Sequence, residues 1–571
     1  MSKKVIILGG GVGGMTAAHE LIERGFDVEI YERNAGIAGG KARSVPVPGT
    51  AVGGSDPLYG EHGFRFFPGF YKHLPDTMGR IPYGKKTVFD NLVPTDTIMI
   101  ARYDNNAIVT NANFPDSLAD IKVLLNNIFK GVDSGLTSEE INFFALRMWQ
   151  LMTSCYDRRL NEYERIGWWE YCEADRFSDA YRSLLVEGLT RTLVAAKADI
   201  ASTRTGGDIF LQLMFNMTTP GVQTDRVLNG PTNLVWIEPW LDYLKSKGVN
   251  YNFNSSVQSL ETDGTSITGV TVSVNGKTKS VTGDYYVLAV PVEVAATLMS
   301  DAIIKIDPTL EALETLAGYV SWMNGIQFYL NEDVQINKGH VIYSDSEWAI
   351  TSISQLQFWD NYNIENCYNG KVKHIISVDV SDWDTPGMNG KKANECSSRE
   401  EVKNEVWAQL KKSLNVEGKT VLRDDMIETW YLDRDIEMIP NQSTMNREPL
   451  LVNHVNSWTF RPAAHTGVPN LFLASDYVKT YTDLATMECA NEAARRAVNS
   501  IIDVSDTKAP LCKLWNLHEP DVLVPFRGHD KSRYENGLPW RDEFSETAKE
   551  ISKIKGEIKN LEDKVFSKKK E

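Results

Sequence analysis

The chain has 571 residues, 42% of them hydrophobic and 24% charged, a length that exceeds one ordinary core and predicts about two to four domains of a folded, water-soluble protein. Its 60 basic and 76 acidic residues leave a net charge of −16, which argues against nucleic acid as a partner, since phosphate binding needs a basic face. Six cysteines, at 155, 172, 367, 396, 489 and 512, are sparse and form no CxxC, so a reducing, cytoplasmic setting without disulfide framework or zinc site is expected. No run of about 18 apolar residues suggests a membrane-spanning helix.

The N-terminal MSKKVIILGGG has too short an apolar run for a signal segment and leads straight into glycines, so it reads as a first β-strand. Gly9, Gly11 and Gly14 complete a GxGxxG turn, with Gly10 and Gly13 beside them; the helical pattern MTAAHELIERG follows, and then a strand, DVEIYER, containing Glu32 and Arg33. Strand, glycine turn, helix, strand and acid in this order make a dinucleotide-binding unit. Gly9 permits the tight turn, Gly11 lets amides approach a pyrophosphate, and Gly14 lets helix pack on strand. The helix N-terminus favours the phosphates, and Glu32 accepts from an adenosine ribose. Downstream, Gly39-Gly40-Lys41-Ala42-Arg43-Ser44 forms a second glycine turn with cations within reach of a pyrophosphate.

GxGxxG, then the acid, then GG(K/R)xxS resembles the flavoprotein superfamily of amine oxidases and phytoene desaturases, and is most similar to the carotenoid desaturases. The resemblance implies non-covalent FAD and an α/β fold: a Rossmann-like FAD-binding domain of the GR2 type interleaved with an α+β substrate domain containing a mixed sheet. It places the FAD-binding domain at about 1–100, 225–300 and 455–505, and the substrate domain at 101–224 and 301–454. Residues 506–571 form an extension in which Ile551, Ile554, Ile558, Leu561 and Val565 mark a short amphipathic helix, either docked on its own chain or forming a dimer contact.

The same resemblance orders the remaining landmarks. EHGFRFFPGFYKHL, residues 61–74, combines charge with five aromatics; it is expected to reach the flavin with Glu61, His62, Gly63 and Arg65 and to line an apolar channel with FFPGFY. Glu61, His62 and Arg65 are the candidate catalytic groups, with His62 or Glu61 as base, while Lys72 and His73 read as a solvated turn. SEEINFFALRMWQLMTSCY and RSLLVEGLTRTLVAA read as amphipathic helices, and residues 229–249 as the helix before the return to the FAD domain. Val257, in a strand–DG–strand pattern, matches the backbone clamp on adenine, and DYYVLAVP reads as a buried parallel strand ending at Pro291. GYVSWMNGIQFYL and KVKHIISVDV are expected as strands of the mixed sheet. In PNLFLASDYVKTYTDLATMECANEAARRAVNSII, Asp476 takes the ribityl chain, and a helix beginning near Leu484 aims the amide of Met487 at the flavin; Ser475 stands where the family usually has glycine.

Three departures bear on the chemistry. Asn324 occupies the place of an amine oxidase lysine, Asn233 stands where plant-type desaturases carry an arginine, and NSWTFRPAAHTGVPN offers no cysteine for a covalent flavin. The leading reading is desaturation of an apolar isoprenoid by hydride transfer to flavin N5, with oxygen or quinone as electron acceptor. The alternatives are an amine or amino-acid oxidase and a non-redox FAD-dependent isomerase or hydratase. Peripheral membrane contact through FFPGFY and GWWEYCE, and a homo-oligomer, complete the expected partners.

Overall fold

Val5, Ile6, Ile7 and Leu8 are fully buried, and the strand they form, Lys4–Leu8, is the centre of a five-stranded sheet. The order across this sheet is Asn250–Asn252, Asp27–Tyr31, Lys4–Leu8, Tyr285–Leu288, Leu471–Leu473, and every pair is parallel. Near-continuous apolar strands are what a parallel sheet needs, because helices cover both of its faces. Val12–Ile22 and Met487–Val504 are two such helices, packed on each other and tied by Asn491 Nδ2 donating to Thr16 Oγ1 at 2.8 Å. The computed structural model describes residues 2–111, 135–188, 198–217, 225–439 and 444–542.

A second, seven-stranded sheet runs Asn105–Asn111, Thr97–Arg102, Val341–Tyr343, Ile350–Ser354, His374–Val380, Asn324–Leu330, Ile427–Leu432. It is mixed: Val341–Tyr343 is parallel to Thr97–Arg102, and the other pairs are antiparallel. Side chains alternate across a strand. Ile376, Val378 and Val380 join Ile326, Phe328 and Leu330 in a core with Val402, Val406 and Leu410 of the Arg399–Leu414 helix. Ser377 and Asp379 therefore face the opposite side of the sheet. Of the two stretches expected as strands of a mixed sheet, KVKHIISVDV joins it as His374–Val380 and GYVSWMNGIQFYL as Asn324–Leu330, while Val320–Ser321 pairs separately with Leu450–Leu451.

The expected helix at 138–156 forms as Ser138–Thr153, with Thr137 Oγ1 accepting from the Glu140 amide as a cap. RSLLVEGLTRTLVAA begins as a π-helical turn, Arg182–Glu187; its end and the apolar repeat at 551–565 lie outside the described residues. Residues 229–249 split into a π-helical turn, Asn233–Ile237, and a helix, Glu238–Ser246. The terminal helix starts at Met487 rather than near Leu484, because Thr486 takes the capping position and accepts from the Cys489 amide.

Two surface expectations do not hold. Trp168, Tyr171 and Cys172 of GWWEYCE are buried in the helical core with Phe144, Met148 and Leu151. A large apolar side chain sealed in this way contributes roughly 1.5–3 kcal/mol, so withdrawing these into a membrane would dismantle that core. His73 is 2% exposed, its Nδ1 lying 2.8 Å from Glu488 Oε1 and its Nε2 accepting from the Trp515 amide. Lys72 alone of that pair is solvated. Among the described residues no helix is long and apolar enough to cross a membrane.

Candidate active site

A cavity of 390 Å³ runs from the first glycine turn to the second sheet. At one end lie Gly9, Gly11, Val12, Gly13, Glu32, Arg33, Gly40, Lys41 and Val257. Gly9 has φ +104°, and a Cβ there would meet the Ala289 carbonyl oxygen at 2.5 Å, so both torsion and space demand glycine. Gly14 lies outside the cavity; its hydrogen faces Gly9, whose carbonyl oxygen would be 1.9 Å from a Cβ. That is the close helix–strand packing expected of it. The helix behind this turn has Gly11 as N-cap with no side-chain cap, leaving its first amides to the cavity as an anion-binding end.

Glu32 is held with both oxygens engaged: Oε2 accepts from Gly10 N at 2.7 Å and Oε1 from Asn34 N at 2.8 Å. Two amides fix its orientation before any ribose arrives. The second glycine turn behaves differently from expectation. Lys41 lines the cavity but donates to the Pro449 carbonyl, Arg33 pairs with Glu448, and Arg43 is buried outside the cavity against Asp435 and Gly40 O. These cations anchor Asp435, Glu448 and Pro449 beside the nucleotide end. Asn233 likewise fastens this turn, its Oδ1 accepting from Ser44 N at 2.7 Å and its own amide donating to Ser44 Oγ at 2.8 Å.

In the middle of the cavity Ser475 and Asp476 follow the Leu471–Leu473 strand, and Ala485, Thr486, Met487 and Ala490 bring the start of the terminal helix to the wall. Ser475 has no positive φ among the backbone exceptions, so a side chain stands here without strain. The helix is tied to the 61–74 stretch by Glu488, whose carboxylate accepts from the amides of Lys72, His73 and Leu74 at 2.7, 2.7 and 2.8 Å. Burial alone would raise that carboxyl, but His73 and these amides hold it below its ordinary value. Asp483, at φ +45°, pairs with Arg204 and accepts from Thr205 Oγ1 at 3.0 Å. It thus joins the helix Thr203–Met217 to the loop that precedes Met487.

The far end is apolar: Phe64, Phe66, Phe70, Tyr71, Ile209, Leu213, Met323 and Leu451 line it. Phe67 turns away to pack on Trp236 at 5.6 Å. His62, Gly63 and Arg65 reach the wall as expected; Glu61 does not. Its carboxylate accepts from Thr232 N and Thr232 Oγ1 at 3.0 and 2.7 Å, and burial raises its pKa. It faces a separate 10 Å³ void with Arg65, Thr232 and Gln355, the space of about one water molecule. Arg65 Nε and Nη2 are buried without a hydrogen-bond partner among the described residues, and burial lowers the guanidinium's pKa.

His62 Nδ1 lies 2.6 Å from Asp433 and 3.6 Å from Asp435. Burial alone would lower its pKa, but the Asp433 charge and the contacts to both carboxylates raise it. The three side chains have metal-ligating spacing, yet Arg43 already occupies Asp435, and Asn324 Nδ2 donates to Asp433 at 2.6 Å. Asn324 thus orients the partner of His62.

Residues 340, 351, 379 and 448 also line the cavity, and reading the sequence did not point to them. His340, flanked by Phe64 and Phe66 at 5.3 and 5.4 Å, is pushed down to about 4 by burial and is neutral. Asp379 is pushed up to about 7 by burial, against the opposing charge of Arg65 and the Phe64 amide. An acid inside the apolar run HIISVDV was the available signal.

The glycine cradle, the free helix amides, Glu32 and the Val257 backbone fit a dinucleotide, and the continuation past Met487 fits a flavin ring. The family described as flavin containing amine oxidoreductase matches residues 12–502. A zeta-carotene desaturase from Synechocystis sp. is 23% identical over 529 residues, covering 87% of this chain and 97% of its own. Among solved structures, a putrescine oxidase with bound putrescine aligns with a TM-score of 0.57 at 13% identity, over 88% of this chain and 99% of that one. Cyclohexylamine oxidase from Brevibacterium oxydans aligns with a TM-score of 0.56, at 13% identity and the same coverage.

Proposed function

The chain belongs to the flavin-containing amine oxidoreductase family and is an FAD-dependent oxidoreductase, and from that premise we propose that it dehydrogenates an apolar, isoprenoid-like substrate. The observation that carries this reading is the aromatic and aliphatic compartment opening directly off the dinucleotide end of one cavity. A relative described as a carotene desaturase, similar over nearly its full length, supports it. The proposed FAD-binding segments, 1–100, 225–300 and 455–505, contain all five strands of the parallel sheet.

When bound, FAD supplies the acceptor for a hydride leaving the substrate. The chain supplies position and a dry site. Glu32, the first helix amides and the Val257 backbone hold the nucleotide half, and Asp476 with the Met487 amide holds the ring half. Phe64, Phe66, Phe70 and Tyr71 pack along the substrate and exclude water, which supplies much of the catalysis for a reaction of this type. His62 sits at the cavity wall with its Nδ1 turned to Asp433, whose charge raises the ring's pKa against the effect of burial.

Anaerobic titration of the FAD-loaded protein tests the reading. Polyenes are expected to bleach the flavin absorption, with colour restored by oxygen or quinone. Bleaching by amines alone would replace the desaturase reading with an amine oxidase, and no bleaching by either class would favour non-redox use of the flavin.

A further inference from the structure

Of the two groups expected as base, Glu61 lies outside the cavity, and His62 has its Nδ1 taken up 2.6 Å from Asp433. Among the described residues four carboxylates line the cavity: Glu32, Asp379, Glu448 and Asp476. Glu32 is fixed by two amides at the nucleotide end, Glu448 pairs with Arg33 beside the second glycine turn, and Asp476 follows the Leu471–Leu473 strand in the cofactor wall. Asp379 alone stands on the seven-stranded sheet.

Its placement follows from strand alternation. Ile376, Val378 and Val380 are committed to the core beneath the sheet, so Asp379 faces the cavity, opposite Thr351 on one neighbour and Gly325 on the other. Gly325 lets the chain at 62–63 lie across this strand: its amide donates to His62 O at 2.6 Å, and a Cβ on Gly325 would be 2.9 Å from Gly63 Cα. Asp379 Oδ1 accepts from Phe64 N at 3.2 Å, and a Cβ on Gly63 would lie 2.8 Å from it. The carboxylate is thus locked between the stretch that carries His62 and the apolar compartment.

We infer that Asp379 is the catalytic base, receiving the proton lost by one substrate carbon while a hydride leaves its neighbour; this rests on the dehydrogenation reading above. The hydrogen of one C–H bond leaves with the bonding electron pair, as hydride, for the bound FAD. The second C–H bond gives its proton to the Asp379 carboxylate and its electron pair to the new carbon–carbon double bond. The charged and titratable groups around it are Arg65, His62 and Glu61 from the 61–74 stretch, His340 just before the Val341–Tyr343 strand on the same cavity wall, and Asp433 beyond His62. Arg65 favours the carboxylate, while burial and Glu61 oppose it, which holds the group near 7, where a base works best at neutral pH.

The test is single-turnover, anaerobic flavin reduction by a polyene that bleaches the wild-type protein, followed across pH 5.5–9 in wild type, Asp379→Asn, Asp379→Glu and Arg65→Gln. The wild-type rate is expected to rise with pH and level off above about 7. Asp379→Asn is expected to lose about 10²–10⁴-fold and to show no rising limb, while retaining the polyene-induced change in the oxidised flavin spectrum. Asp379→Glu restores part of the rate. Arg65→Gln, which leaves Asp379 in place, moves the limb to higher pH, and this arm decides the matter even if Asp379→Asn does not fold. An Asp379→Asn variant within threefold of wild type at pH 8, or a limb that stays put in Arg65→Gln, overturns the assignment of Asp379. A wild-type flavin that no polyene bleaches overturns the dehydrogenation reading itself, and the base assignment with it.

Discussion

At the nucleotide end of the cavity, every side chain that matters is already fastened by the backbone or by an ion pair: Glu32 to two amides, Arg33 and Lys41 to residues 448 and 449. At the substrate end, buried groups are left partly unmatched: Arg65 has two nitrogens and His340 its Nε2 without partners among the described residues, and Asp379 sits near neutrality in its titration. A binding surface for a fixed cofactor benefits from satisfied, preorganised donors. A reacting surface instead needs groups whose charge can change, and burial supplies the shift. One end should therefore break when the backbone is touched, and the other when a charge is removed.

The largest effect is expected from adding one methyl at each end. Gly14→Ala would drive a Cβ to 1.9 Å from the Gly9 carbonyl oxygen, a backbone atom that cannot yield. The purified protein should retain no FAD and melt well below wild type, as absorbance and calorimetry would show. The atoms nearest a Cβ in Gly63→Ala belong to the Asp379 side chain, the first at 2.8 Å; FAD retention should persist while flavin reduction slows by about tenfold or more. Equal loss of cofactor in both would erase the contrast.

Next comes Glu32→Ala, which orphans the Gly10 and Asn34 amides. An unmet buried donor costs about 1–3 kcal/mol, so FAD affinity should fall by about 10–100-fold in a fluorescence titration. Stability against pH probes the other end. Asp379 has its folded pKa raised to about 7 from the ordinary 3.8, so the folded state binds the proton more tightly than the unfolded one. That stabilising contribution is complete below about pH 4 and is lost as pH rises through 7. The melting temperature should therefore decline between pH 5 and 8 more steeply in wild type than in Asp379→Asn; parallel curves would show that the carboxyl is not held near neutrality. The smallest effect belongs to Ser475→Gly: with no positive φ to relieve, it should change FAD affinity by less than about threefold.

Much of the nucleotide end was legible because its elements are local. Gly9 to Glu32 form one strand–turn–helix–strand unit, in which spacing along the chain equals position in space. The terminal helix was legible for the same reason, its start moved only from near Leu484 to Met487 by the Thr486 cap. The reacting end resisted. Glu61 was drawn to Thr232 rather than the cavity, and His73, in what looked like a solvated turn, was buried by Glu488. Neither partner is near in sequence.

The first parallel strands and the glycine cradle can be read from the order of residues alone, because each is encoded in periodicity or in a short run with one workable backbone geometry, while the cofactor class and the placing of residues 61–74 beside it came from the family resemblance that those motifs carry. Which carboxylate faces the substrate is settled only once the chain has folded. Asp379 reaches the cavity because its strand pairs in register between Gly325 and Thr351 with its even-numbered neighbours in the core. The 61–74 stretch crosses the neighbouring strand at Gly325, and the resulting burial, which no single segment contains, raises the carboxyl's pKa.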